Sequence, residues 1–236
     1  MSFIDRKARE ISRPTLEAVG RMLARWNVSA DAVTYLGLVL TIGVAVLAAL
    51  GEIRWAGVAY IFAALCDSID GAVARVSGKG SRFGAFLDST IDRFEEAIVF
   101  LGLSIHYAQP GTGSGGGWLE IPGWITCGLI LVATVASLMV SYTRARAEAV
   151  GVACTVGFMG RPARVVVMIV GMILDQVLIA LIIVALTSLF TTFQRMYHVW
   201  RVTGGEAGGW GPVNEPFIIP VPPIQEGQKD DVGEPR

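Results

Sequence analysis

Apolar and polar positions in this chain are arranged in long blocks. Apolar runs fall at about residues 31–50, 55–77, 84–108, 120–143, 162–175 and 177–200. A helix needs about 20 such residues to cross a hydrocarbon core of about 30 Å. The last two runs are divided at Asp175 and Gln176, because one straight helix from Val165 to Phe193 would overrun the bilayer. The pattern predicts an all-α integral membrane protein with six transmembrane helices and both termini on the same side.

A different periodicity precedes these runs. Over residues 2–26, Leu16, Val19, Leu23 and Trp26 recur at helical spacing, and Arg6, Lys7, Arg9, Arg13, Arg21 and Arg25 supply positive charge. This predicts an amphipathic helix lying along the membrane surface. A helix that binds a cytosolic partner is the alternative.

Charge tests the topology. Of the 19 Lys and Arg residues, only Arg54 falls in a segment assigned to the side opposite the termini. The basic side includes the loop near 75–82, the loop near 144–164 and the C-terminal flank. The positive-inside rule makes that side cytoplasmic and the protein a multi-pass component of the cell membrane.

Composition agrees, with 53% hydrophobic and only 17% charged residues and a mean hydropathy of +0.57. A soluble domain of this size could not bury so much apolar surface. The net charge of −1 adds little, and nucleic acid is not an expected partner. Cys66, Cys127 and Cys154 lack paired spacing and read as small buried hydrophobes. The N-terminus has no apolar signal-peptide core. The glycine-rich stretch Gly111 to Gly117 lacks a following Lys-Ser/Thr pair, so a flexible linker is expected there. Trp118 and Trp124 suit an interfacial belt. Residues 203–236, rich in Gly, Pro, Glu and Asp, are expected to form a disordered tail beyond a membrane domain of residues 1–202.

The chemistry is concentrated between Cys66 and Arg93. Asp67 and Asp70 are three residues apart, and Asp88 and Asp92 four apart, so each pair stacks on one helical face. A short turn around Gly78 to Ser81 makes the two helices antiparallel, which brings all four carboxylates to one end. An acidic residue in mid-membrane costs roughly 2.5–3.5 kcal/mol on insertion scales. Four together repel one another and require a positive partner. Oxygen-only ligands suit Mg²⁺ or Mn²⁺. Pairing with Arg75, Arg82 and Arg93 is the alternative. Gly71, Ala72, Ala74, Gly84 and Ala85 leave room for a bulky ligand or for close helix packing.

The run Asp67-x2-Asp70-Gly71-x2-Ala74-Arg75-x8-Gly84-x3-Asp88-x3-Asp92 resembles the full motif of the CDP-alcohol phosphotransferases, with all eight fixed positions present over 26 residues. The resemblance implies six transmembrane helices, a homodimer and two divalent cations per site. It implies that Asp67, Asp70, Asp88 and Asp92 bind metal and that Asp92 is also general base on the acceptor hydroxyl. It further implies that Gly71 and Arg75 contact the cytidine diphosphate, with Ser81 nearby. Asp31, Ala32 and Thr34 lie in a stretch resembling the family's nucleotide-holding segment, although Ala30 stands where proline is common. Two metals in a carboxylate ring would neutralise the diphosphate and help orient the attacking alcohol.

The acceptor is expected from a second set of residues. The segments Tyr142-x2-Ala145-Arg146-Ala147-Glu148 and Arg161-Pro162-x-Arg164, with Gln194-Arg195, resemble the branch of the family that makes phosphatidylinositol phosphate. That resemblance covers roughly residues 1–202. It implies CDP-diacylglycerol as donor and inositol phosphate as acceptor, its phosphate held by Arg144, Arg161 and Arg195. The branch often has Lys where Arg144 stands. Guanidinium forks match phosphate oxygens, while single boundary arginines also mark orientation or snorkel. The rivals are a different acceptor such as glycerol 3-phosphate, a soluble or ether-lipid donor, and a divalent-cation transporter. The transporter reading leaves Gly71, Ala74, Arg75 and Gly84 without a role.

Overall fold

A computed structural model of the chain describes residues 18–23, 25–26, 28–77, 81–114 and 121–203. Six long elements follow: α1 (Ala30–Ala49), α2 (Ile53–Ser77), α3 (Arg82–Tyr107), α4 (Gly123–Ala149), α5 (Arg161–Ile173) and α6 (Val177–Val202). Local chemistry sets several of their ends. Ser29 caps α1 by accepting the Ala32 N–H, and Ser81 caps α3 by accepting the Gly84 N–H. Pro162 occupies the first turn of α5, where its missing N–H is harmless. The chain reverses between α5 and α6 at Asp175, which takes a left-handed conformation (φ 58°).

The principal packing joins α1 to α2 and α3, α3 to α4, α4 to α6, α6 to α5, and α5 back to α2. The helices therefore close into a ring with spatial order α1–α2–α5–α6–α4–α3. Val44, Tyr60, Leu103, Ile130, Met172 and Leu181 belong to the buried core that this ring encloses. The outward faces carry exposed large apolar residues, among them Val39, Phe62, Phe94, Leu131 and Phe190. A belt of this kind is compatible with lipid and costly in water. The chain is an all-helical membrane protein.

Four helices are long and apolar enough to cross a bilayer by themselves: α1, α2, α4 and α6. The other two expected spans differ for separate reasons. Helix α3 has the length but carries Arg82, Asp88, Asp92, Arg93, Glu95 and Glu96. Helix α5 has 13 residues, a rise of about 20 Å, well short of a hydrocarbon core of about 30 Å. Helix α4 continues to Ala149, past the expected end at residue 143, because Tyr142 to Glu148 remain helical outside the apolar run.

The glycine-rich linker has a small regular feature at its ends. Gly113–Ser114 (β1) pairs antiparallel with Ile121–Pro122 (β2), closing a loop whose residues 115–120, Trp118 included, lie outside the described residues. The expected surface helix over 2–26 falls largely outside them too. Of its described residues, 18–23 and 25 are helical and Trp26 is in a turn, and Gly20 is buried so closely on α2 that a Cβ there would sit 3.0 Å from the Ala72 backbone. The turn at 78–80 and the tail from 204 onward are likewise outside the described residues.

Gly102 shows how tightly the ring closes, since a Cβ at this position would fall on the Ala45 backbone of α1. Replacement by valine forces α1 and α3 apart, at a cost of about 1–3 kcal/mol. Thermal unfolding in detergent should show a clear loss of stability for Gly102→Val. Gly43→Ala, where a Cβ meets nothing within 4 Å, should be neutral or slightly stabilising.

Candidate functional site

Asp67 and Asp70 lie on the last turns of α2, and Asp88 and Asp92 on the first turns of α3. Short connections alternate the helix directions, so this end of the ring also holds the start of α1, the end of α4, the start of α5 and the end of α6. The tightest carboxylate group among the described residues is Asp67, Asp92 and Glu95, whose nearest oxygens lie within 4.8 Å of one another. Asp88 is within electrostatic reach of Asp67, Asp70 and Arg161. Asp70 is buried and accepts a 2.7 Å hydrogen bond from the Thr34 hydroxyl on α1.

The residues expected to hold a nucleotide form a neighbouring patch. Thr34 is tied to Asp70, and the Ala32 N–H is taken by the Ser29 cap. A Cβ at Gly84 would lie 3.1 Å from Ser81 Oγ and 3.4 Å from Asp31 Oδ1, so Asp31, Ser81 and Gly84 meet where α1 and α3 begin. The guanidinium of Arg75 lies over Gly71, 3.2 Å from where a Cβ would stand. Asp31, Ala32, Arg75 and Ser81 are exposed.

Arg161 stands at the centre of the carboxylates. Its guanidinium contacts Asp67 at 2.8 Å, Glu95 at 2.7 Å and also Asp92. One residue turn further along α5, Arg164 makes a bidentate pair with Glu96 at 2.8 and 2.9 Å. Arg164 is 1% exposed, so removing one partner would strand a buried charge, at a cost of about 3–5 kcal/mol. The cation facing the aspartates is therefore mainly Arg161. Of Arg75, Arg82 and Arg93, only Arg93 makes an ion pair with one of them, a loose 3.6 Å contact to Asp92.

The other two arginines are placed differently. Arg195 is buried and donates to the carbonyls of Val156 and Val140. It thereby ties the 150–160 loop to α4, and it lies within electrostatic reach of Arg144 and Arg164. Arg144 is exposed and pairs with Glu148 one turn on, at 2.8 Å. Gly157 lies so close to α6 that a Cβ would meet Thr191 at 2.8 Å. A cavity of about 550 Å³ opens beside this loop, lined by Val156, Gly157, Phe158, Gln194, Tyr197, His198 and Arg201.

Glu95 and Glu96 belong to the site, yet the four-aspartate pattern does not include them. Asp88, Asp92 and Glu95 recur at i, i+4 and i+7, one continuous helical face, and that spacing was the available signal. The residues fit a divalent metal. Their donors are oxygens only, which suits hard cations. Glu95 is 2% exposed, and its Oε1 has no hydrogen-bond partner. Gly37 keeps the space open, since a Cβ there would stand 3.1 Å from Asp67 Oδ1 and 3.3 Å from Glu95 Oε1.

Known proteins resemble this chain in sequence and fold. The chain is 34% identical over 215 residues to the phosphatidylinositol phosphate synthase of Mycolicibacterium smegmatis, covering 87% of this chain and 90% of that one. It is 30% identical over 193 residues to the archaetidylinositol phosphate synthase of Pyrococcus horikoshii, covering 81% and 94%. The crystal structure of Mycobacterium tuberculosis phosphatidylinositol phosphate synthase with CDP-DAG bound superposes with a TM-score of 0.68 at 30% identity, covering 78% of this chain and 93% of that one. The same enzyme in complex with manganese and citrate gives 0.69, with 78% and 88% covered. The model of the CDP-alcohol phosphatidyltransferase family matches residues 27–203, a span that holds the aspartates, both glutamates and Arg161, and the chain belongs to that family.

Proposed function

We propose that this chain is a phosphatidylinositol phosphate synthase. In this reading an inositol phosphate hydroxyl attacks the β-phosphorus of CDP-diacylglycerol. The new bond is P–O to inositol, the bond to the bridging oxygen of the diphosphate breaks, and CMP leaves. The observation that carries the reading is the set of acidic, nucleotide-side and basic residues gathered at one end of the helix ring. Relatives with this activity match over more than four-fifths of the chain.

The residues divide the work. Asp67, Asp70, Asp88 and Asp92 would hold two divalent ions, Mg²⁺ or Mn²⁺. Bound there, they would neutralise the diphosphate and polarise the reacting phosphoryl group. Asp92 accepts the proton from the attacking hydroxyl, and its advantage lies in position. Gly71 lets the donor approach the α2 backbone under Arg75, while Asp31, Ala32, Thr34 and Ser81 hold the nucleotide from the α1 and α3 sides. Arg144, Arg161 and Arg195 hold the acceptor phosphate.

The membrane arrangement completes the proposal. All six helices take part in crossing the bilayer, α3 shielded by its neighbours and the short α5 continued by the 150–160 segment bonded to α6, with an N-terminal surface helix and the site facing the cytoplasm of the cell membrane. The protein works as a homodimer, and residues 203–236 form a cytoplasmic tail. An archaeal ether-lipid donor is the second reading, favoured by the Pyrococcus relative.

Purified protein supplied with CDP-diacylglycerol and radiolabelled acceptors should turn over inositol phosphate, and turnover of glycerol 3-phosphate or serine alone overturns the assignment. Parallel reactions with CDP-archaeol decide the donor. Chelation by EDTA should abolish CMP release, and added Mg²⁺ or Mn²⁺ should restore it. Asp92→Asn should lower kcat by roughly 10²-fold or more. Full activity in that variant would remove Asp92 from its role.

A further inference from the structure

One guanidinium here contacts three carboxylates from two helices. Arg161 takes Asp67 Oδ2 at 2.8 Å, Glu95 Oε2 at 2.7 Å and Asp92 Oδ1. Two of those acceptors are residues that the proposed function assigns to metal. A carboxylate lone pair directed at a guanidinium N–H is not at the same time directed at a metal ion. Arg161 and the divalent ions therefore compete for Asp67 and Asp92.

Charge accounting separates the partners. Four aspartates carry four negative charges, which two divalent ions balance. Glu95 and Arg161 then remain as a neutral pair of their own. Glu95 is suited to that part, because it is almost fully buried and already holds Arg161 Nη2 at 2.7 Å. Next to it, the Arg164–Glu96 pair pins the start of α5 to α3. The backbone of Arg161 is thus fixed while its side chain, 21% exposed, has room to shift.

We propose that Arg161 is a resident counter-ion of the aspartate site, displaced from Asp67 and Asp92 when divalent metal binds, and that Glu95 is the positioning residue that retains the displaced guanidinium. The inference rests on the reading of the four aspartates as metal ligands. It adds a sequence of events: metal binding frees Nη1 of Arg161 from Asp92 and releases Nη2 from Asp67 while Nη2 stays on Glu95, and only then can the guanidinium meet an incoming anion. Metal and anionic acceptor thereby favour each other's binding through one side chain.

The test is Mn²⁺ binding to the purified full-length protein without any substrate, followed by EPR, together with thermal unfolding at zero and saturating Mn²⁺. Arg161→Gln should bind Mn²⁺ about tenfold more tightly than wild type, because a competing cation is gone. Its metal-free form should melt below wild type, and saturating Mn²⁺ should close that gap. Glu95→Gln should bind Mn²⁺ several-fold more weakly, since Arg161 then rests wholly on Asp67 and Asp92. That loss should shrink in the Glu95→Gln/Arg161→Gln double variant, where no guanidinium remains to be displaced.

Equal Mn²⁺ affinity in wild type and Arg161→Gln overturns the proposal, as does a melting gap that Mn²⁺ leaves unchanged. An equal or larger loss from Glu95→Gln in the Arg161→Gln background makes Glu95 a metal ligand and overturns its retaining role. Should Arg161→Gln fail to fold, Arg161→Lys keeps the charge but cannot span three carboxylates at once. Tighter Mn²⁺ binding by that variant supports displacement, and unchanged binding overturns it. A wild-type protein that binds no Mn²⁺ overturns this inference together with the metal reading. Failure with inositol phosphate as acceptor leaves these binding results standing.

Discussion

The constraint on which the structure depends is the neutralisation of carboxylates inside a helical membrane protein. Six acidic side chains (Asp67, Asp70, Asp88, Asp92, Glu95 and Glu96) lie within 30 residues of sequence on two consecutive helices. In an apolar medium such a group survives only if each charge meets a cation or a donor. Thr34 serves Asp70, Arg164 serves Glu96, and Arg161 is shared among Asp67, Asp92 and Glu95. Every one of these contacts crosses between helices. The ring closes through them at this end, while small and apolar residues close it through the rest of its length.

This division explains the shape of α3 and α5. Helix α3 carries too much charge to face lipid on all sides, and its neighbours α1 and α4 flank it while its acidic face turns to α2 and α5. Helix α5 is short, and its first turn is spent on ion pairs while its later residues, Met168 and Met172, pack in the core. Polar pairing and apolar packing are thus segregated along each helix instead of around it.

Much of this was visible in the sequence wherever the relevant partners are close in the chain. Asp67, Asp70, Asp88 and Asp92 stand out through local spacing, the break at Asp175 through length, and Arg144 with Glu148 through an i,i+4 relation. The contacts that organise the site were not visible in that way. Arg161 and Glu95 are 66 residues apart, and Arg164 and Glu96 are 68 apart, so their pairing depends on α5 facing α3 across the ring. Hydropathy alone marks Glu95 and Glu96 as interruptions of an apolar run, and marks Arg161 as a boundary residue. The same dependence on tertiary contact hides the β1–β2 ladder, because neither two-residue strand has a pattern of its own.

The shortness of α5 has a further consequence. From Asp175 the chain climbs only about 20 Å to Arg161, whereas α6 rises about 39 Å from its start at Val177. The 150–160 segment consequently dips alongside α6, and its backbone is satisfied from that helix: Thr191 accepts from the Met159 N–H, Arg195 donates to Val156, and His198 meets the Ala153 carbonyl. The shortness of α5 thus leaves a recess at this end of the ring whose α6 wall carries Gln194, Tyr197, His198 and Arg201.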